Sequence, residues 1–306
     1  MSSSVSSASR YEYDPSTAAA AVVAVLFAIG LLVTIGQIIW RRSWVWLVMA
    51  FAIAVEVIGY AARIVSSQNV TEQTPYSLQF VLIILAPVVM AGIIYLSFGR
   101  LILWVVPPEQ RSIKLLWAPP RFITPIFVGF DIMALLLQVI GAVLLAGTDR
   151  ADPDALENLQ RGKDLGMAGV TLQIIAFGFF SIVTVRFHFV SRRIDPAYAA
   201  SNKSQHNLNK DCTALLNVIN ISCLLILIRS AYREVEFAGG RDSTVAQSEW
   251  YLYVFDALPI LAVTAAYTFW FPGRFIGNLG FRAPKQSLPK YDTLTVDNSS
   301  RNIELV

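Results

Sequence analysis

Residues 17–40 read TAAAAVVAVLFAIGLLVTIGQIIW, a run of 24 residues without one charged side chain. A helix needs about 20 apolar residues to cross a hydrocarbon core, so this run predicts a membrane span. The whole composition agrees. Of 306 residues, 55% are hydrophobic and 15% charged, whereas about a quarter are charged in a typical soluble domain. The segment before the run, MSSSVSSASRYEYDPS, is serine-rich and lacks a basic leader. The apolar run is also too long for a signal sequence. It is therefore expected to be a true first span.

Seven segments pass the same length test: about Thr17–Trp40, Trp44–Ala62, Ser77–Gly99, Phe122–Ala146, Leu165–Val185, Cys212–Tyr232 and Trp250–Phe271. The expected fold is all-α: a polytopic membrane protein built as a bundle of seven transmembrane helices over residues 17–276. The flanking segments, 1–16 and 277–306, are polar, have little to bury and are expected to be disordered tails. Cys212 and Cys223 fall eleven positions apart in one expected helix, too far to bridge each other.

Basic residues set the orientation, since cytoplasmic loops are enriched in Lys and Arg. With the N-terminus outside, 16 of the 24 basic residues fall inside, among them Arg41, Arg42, Arg100, Arg111, Arg192 and Arg193. An outside N-terminus and inside C-terminus are expected. Asn69-Val70-Thr71 is then an outside glycosylation sequon, while Asn202-Lys203-Ser204 lies inside and unused. The net charge of +3 is spread over short loops and offers no nucleic-acid surface.

Ionisable groups inside a membrane cost about 2.5–3.5 kcal/mol each on insertion scales, so they need a reason. Here their spacing is orderly. Glu56, Tyr60 and Arg63 stand at i, i+4 and i+7 and share one helical face. Arg229, Arg233 and Glu236 repeat the spacing, and so do Glu249, Tyr253 and Asp256. Span 4 carries Asp131 and Gln138, span 5 Gln173, and span 3 Gln79 and Tyr95. Two readings account for the set. The residues line a polar cavity open to the outer leaflet, with Glu56, Tyr60, Asp131, Gln138, Gln173 and Asp256 meeting a substrate. Or they fasten helix to helix, the role assigned to Arg63, Arg100, Arg229, Arg233, Glu236 and Glu249. By depth, Arg229 or Gln138 is the expected neighbour of Glu56. Pro87, Pro125 and Pro259 supply bends.

The order of these fragments resembles the fungal lipid-translocating exporter family, the seven-span group related to the 7-aminocholesterol-resistance protein. The resemblance rests on Glu56-x-x-Gly59-Tyr60-x-x-Arg63, Ala86-Pro87, Tyr95-x-x-x-Gly99-Arg100, Asp131 with Gln138-x-x-Gly141, and Gly169 with Gln173. It continues with Arg229-x-x-Tyr232-Arg233-x-x-Glu236 and Glu249 with Tyr253-x-x-Asp256. Where the family often has His before span 7 and before the closing Pro-Gly, this chain has Ser248 and Phe271. The resemblance implies a plasma-membrane or internal-membrane protein that exports or flips sphingoid bases or other toxic amphiphiles. Its implied partners are membrane lipids or amphiphilic small molecules, without a cofactor. Carboxylates such as Glu56, Asp131 and Asp256 suit an ammonium head.

Two other classes are weighed against it. A seven-span zinc hydrolase needs several histidines, and this chain has only His188 and His206. It contains no G-x-S-x-G and no P-loop. A seven-span receptor or sensor of lipid stress is the stronger rival, although span 7 has no lysine for a retinal Schiff base. The orientation is directly testable. A fluorescent protein fused to the C-terminus is expected to resist a membrane-impermeant quencher on intact cells; quenching would reverse the assigned topology.

Overall fold

The computed structural model describes residues 15–105, 120–147, 155–191, 205–239 and 247–272. Among the described residues, seven helices are long and apolar enough to cross a membrane, and no strand occurs. Helix α1 covers Thr17–Arg41, and a 3-10 turn at Trp44–Trp46 leads into α2, Leu47–Gln68. Helices α3 (Gln73–Val105), α4 (Pro120–Gly147), α5 (Ala155–Ser191) and α6 (Gln205–Gly239) follow. Helix α7 runs from Glu249 to Phe269 and contains a π-turn at Tyr253–Ala257.

Local chemistry fixes the ends of α1. The Ser16 hydroxyl accepts from the Ala19 N–H at 3.3 Å, the side-chain cap that an exposed helix start needs. At the other end Arg42 turns left-handed, with φ 51°, and its N–H meets the carbonyls of Ile38 and Ile39. The next helix can therefore begin within a few residues. Ser16, counted above with the N-terminal tail, is thus held. Residues 1–14 and 273–306, which hold the rest of both expected tails and the 276 boundary, lie outside the described residues.

Several helices outrun the spans read from hydrophobicity. Helix α5 has 37 residues, about 55 Å of helix against a hydrocarbon core of about 30 Å. The acid-rich stretch from Ala155 to Asp164, expected as loop, forms its first turns. Pairs one turn apart support it: Arg161 bonds Glu157, and Gln160 donates to Asp164 at 2.9 Å. Helix α2 continues past Ala62 to Gln68, so Arg63 lies inside it. Only residues 69–72 join α2 to α3, and the sequon residue Asn69 is exposed at that turn.

The helices form a closed ring in chain order, each packed on the next and α7 returning to α1. Helix α3 also crosses to α6, and it is the most buried span, whereas α1 is the least. Backbones approach most closely between α4 and α5. A Cβ at Gly141 would stand 2.6 Å from the Gly162 carbonyl oxygen and 2.6 Å from the Gly166 nitrogen. At Gly169 it would stand 2.7 Å from the Ala134 carbonyl. Small residues at such seams let membrane helices touch and gain dispersion contacts that lipid cannot supply. Rings of α3, α4 and α5 fill the region beyond: Tyr95 and Phe98 on α3, Phe127 on α4, and Phe177, Phe180 and Phe187 on α5, with Tyr95 and Phe180 centroids 4.5 Å apart.

The glycine seam makes a paired prediction. Gly141→Leu meets backbone and is expected to cost at least about 1–3 kcal/mol. Gly129, on the same helix, has nothing within 4 Å of its Cβ position, so Gly129→Leu should be near neutral. Thermal unfolding of the two purified variants in detergent, read beside the parent, checks the contrast.

Candidate functional site

The orderly polar faces meet at the end of the bundle that holds the start of α1. One turn apart on α6, Arg229 and Arg233 both reach Asp256 of α7. Arg233 donates from Nε to Oδ1 at 2.9 Å and from Nη2 to Oδ2 at 2.8 Å, a two-pronged grip. Its Nη1 donates to Glu236 at 2.8 Å. Arg229 Nε lies 2.9 Å from Oδ1 as an ion pair, its N–H not aligned for a hydrogen bond. Arg229, Arg233 and Asp256 are each 3% exposed or less, so none is compensated by solvent.

Pro87 explains the other bond of Arg229. Proline has no N–H, so the carbonyl four residues earlier, that of Ile83, loses its helical partner. Arg229 Nη2 donates to that oxygen at 2.8 Å. On the facing helix, Gly59 permits the approach: a Cβ there would sit 3.1 Å from the Ile83 side chain. A related device acts in α7. The ring of Pro259 would strike the carbonyl of Phe255 in a regular helix, and the π-turn ending at Ala257 occupies that stretch and carries Asp256.

A second layer lies nearer the end of the bundle. Arg63 donates from Nη2 to Glu249 at 2.8 Å and from Nε to the Tyr253 hydroxyl at 3.3 Å. Tyr253 donates in turn to Glu249 at 3.0 Å, and the Ser16 N–H reaches the other oxygen of Glu249 at 2.9 Å. Helices α1, α2 and α7 are clasped there.

Glu56 and Tyr60 complete the set. Glu56 is 2% exposed and Tyr60 fully buried. Tyr60 stacks on Phe27 with centroids 5.7 Å apart. Arg229, Asp256 and Arg233 are the charged neighbours of Glu56. Yet Glu56 Oε2 and the Tyr60 hydroxyl are buried without a hydrogen-bond partner. The network holds Arg63, Arg229 and Arg233 against Glu56, Glu236, Glu249 and Asp256. It has one carboxylate more than it has guanidinium groups, and Glu56 is the one no arginine bonds.

Other expected members lie elsewhere. Asp131 accepts from the Tyr95 hydroxyl at 2.8 Å. Tyr95 follows Ile83 by twelve residues, about 18 Å along α3. Helix α4 packs on α3 and α5, so Asp131 does not join Glu56 and Asp256. Gln138 pairs with Gln173 across the α4–α5 seam at 2.9 Å and is not the neighbour of Glu56. Arg100 is half-buried about 25 Å along α3 from Ile83, outside the arginine network. Glu234, which the spacing of polar residues did not single out, accepts from Thr171 of α5 at 2.7 Å. Of the two departures from the family pattern, Ser248 precedes α7 and Phe271 packs on Trp46 with centroids 5.8 Å apart. Among the described residues no group of His, Cys, Asp and Glu could hold a metal ion.

The profile of the family described as RTA1 like protein matches residues 49–278, which takes in nearly all of this constellation. The chain belongs to the RTA1-like family. It is 34% identical to Protein RTM1 of Saccharomyces cerevisiae over 75% of this chain and 67% of that protein. It is 35% identical to Protoporphyrin uptake protein 1 of the same species, over 73% and 66%. A more distant relative, at 24% over 87% and 72%, is the Sphingoid long-chain base transporter RSB1 of Saccharomyces cerevisiae. The chain spans about two thirds of the length of these relatives. No solved structure matches it significantly. Seven apolar helices and this family make the chain a multi-pass integral membrane protein.

Removing one partner of a buried ion pair leaves its mate uncompensated. Asp256→Asn strands two arginines and is expected to cost about 3–5 kcal/mol, read as a lost or sharply lowered unfolding transition in detergent. Glu249 is 14% exposed in its side chain, and Glu249→Gln should cost clearly less in the same measurement.

Proposed function

We propose that this protein translocates amphiphiles with a cationic head across the membrane, sphingoid bases being the class that fits best. The observation that carries the reading is Glu56: a membrane-buried carboxylate, surplus to its network, with one oxygen free. An ammonium head has three donors and one positive charge. It would meet Oε2 of Glu56 and the Tyr60 hydroxyl, and it would balance the surplus. The lipid-facing surface of the seven spans is apolar and suits the alkyl tail. A relative named as a sphingoid long-chain base transporter supports the same class. On the outside-N-terminus orientation, the head site lies toward the outer leaflet.

An anionic amphiphile is the natural comparison, because one relative is named for protoporphyrin uptake. Arg233 is already engaged by Asp256 and Glu236, and Arg229 is ion-paired with Asp256 and bonded to the Ile83 carbonyl. Glu56 is not so engaged, and this favours the cationic class. A sensor of lipid stress remains the reading from another class, and it differs in needing cellular partners. The relatives whose names give an activity are transporters or uptake proteins, which supports a protein that moves its ligand without transforming it.

Purified protein in liposomes tests this directly. Labelled sphingoid base should cross with the protein alone, whereas a sensor would move none. Glu56→Gln keeps the shape and removes the charge. It should slow the cationic amphiphile by about tenfold or more, the worth of a hydrogen bond to a charged group, and slow a neutral one of equal chain length much less. Equal loss for both would assign Glu56 to helix fastening.

A further inference from the structure

Among the described residues, Asp131 is a second membrane-buried carboxylate that no arginine bonds, and unlike Glu56 it has no charged group near it. It is 1% exposed. Its single hydrogen bond comes from the Tyr95 hydroxyl, to Oδ2; Oδ1 is buried without a partner. The groups around this pair are apolar or neutral. Helix α3 supplies Tyr95, whose ring packs on Phe127 of α4 and on Phe177 and Phe180 of α5. Helix α6 supplies the Cys223 thiol, beside the hydroxyls of Ser181 and Thr184. No arginine, lysine or histidine among the described residues compensates Asp131.

Three cations could balance such a carboxylate. A metal ion takes about six oxygen ligands when hard, and one carboxylate with one phenol falls far short. An alkylammonium head needs volume and several acceptors, whereas Tyr95 and its ring neighbours pack at contact distance. A proton needs neither. Buried carboxylates in spans mark proton relays in pumps and transporters, and the position near the middle of α4, about 18 Å along α3 from the headgroup locus, separates the two sites.

We propose that Asp131 is a proton-exchange site that couples amphiphile movement to a proton gradient. Oδ1 takes up a proton and the carboxylate becomes the neutral acid, while Oδ2 keeps the bond from Tyr95; release reverses the step. The coupling rests on the transport reading given above, but the proton site itself does not.

Two measurements separate the parts. Infrared spectroscopy of the purified full-length protein, with isotope-labelled aspartate, should show a carboxylic-acid stretch that titrates across the physiological pH range. Asp131→Asn should abolish it, and Tyr95→Phe, which removes one hydrogen bond, should shift its frequency while Glu56→Gln leaves it in place. No such band, or one unchanged over the whole range, overturns the site. In liposomes the probe is a labelled amphiphile with a guanidinium head, whose charge ignores pH and whose N–H groups can still meet Glu56. One proton per amphiphile gives about tenfold accumulation per pH unit across the membrane. In Asp131→Asn the ratio between opposite gradients should fall to about one, and a retained ratio overturns the coupling. Failure of the amphiphile to move under any gradient would defeat the transport reading, and the infrared result would still decide the proton site.

Discussion

Two guanidinium groups on one carboxylate hold the charged end of this bundle together. Arg229 and Arg233 sit one turn apart on α6 and share Asp256 of α7. In hydrocarbon none of the three can stay ionised alone, because desolvating a charge costs several kcal/mol unless a partner restores it. The grip therefore fixes the register of α6 against α7. Arg229 extends the constraint to α3 through the carbonyl that Pro87 leaves without a helical donor, and Gly59 brings α2 against that same residue. Four helices are thus registered on one acid, by a proline and a glycine that carry no charge themselves.

The rest of the bundle is held by different physics. Between α4 and α5 the backbones touch at Gly141, Gly162, Gly166 and Gly169, and beyond them the aromatic rings of α3, α4 and α5 interlock. Such a seam cannot slide without breaking many small contacts together. The charged side depends on a few directional bonds, one of them to a π-turn in α7. A π-turn leaves the regular hydrogen-bond ladder locally altered, and such turns are common at functional sites. If the protein transports as proposed, this division between a close-packed half and a half held by ion pairs would let one side rearrange against the other.

The sequence carried the architecture because hydrocarbon thickness imposes a length and a charge-free composition that any span must satisfy. It carried the faces too, since i, i+4 and i+7 spacing places Glu56 with Arg63, Arg229 with Glu236, and Glu249 with Asp256. Which faces meet was not legible. Depth along a helix can be counted, but rotation about the bundle cannot. Asp131 and Gln138 were grouped with Glu56 for their depth, whereas α4 packs on α3 and α5. Helix ends were missed for a related reason: outside the hydrocarbon, polar residues such as those of 155–164 form helix as readily as apolar ones. The bond from Arg229 to Ile83 had a sequence signal, a proline four residues after a span residue, but its donor lies on another helix.

Glu56 and Asp131 look alike as sequence features, each an acid in an apolar run. Their environments set them apart. Glu56 lies near Arg229, Arg233 and Asp256, in the layer next to the one where α1, α2 and α7 are clasped. On the proposed reading, a headgroup arriving there would meet fixed charges that orient it, and exchange of partners within the network would leave no charge alone. Asp131 has a phenol, a thiol and aromatic rings around it, so any charge on it is felt at full strength. An amide at either position would fill the same space and avoid the insertion penalty of an acid. On the two readings proposed above, the carboxylate at each site meets a positive charge that comes and goes: a headgroup where charged neighbours are several, a proton where there are none.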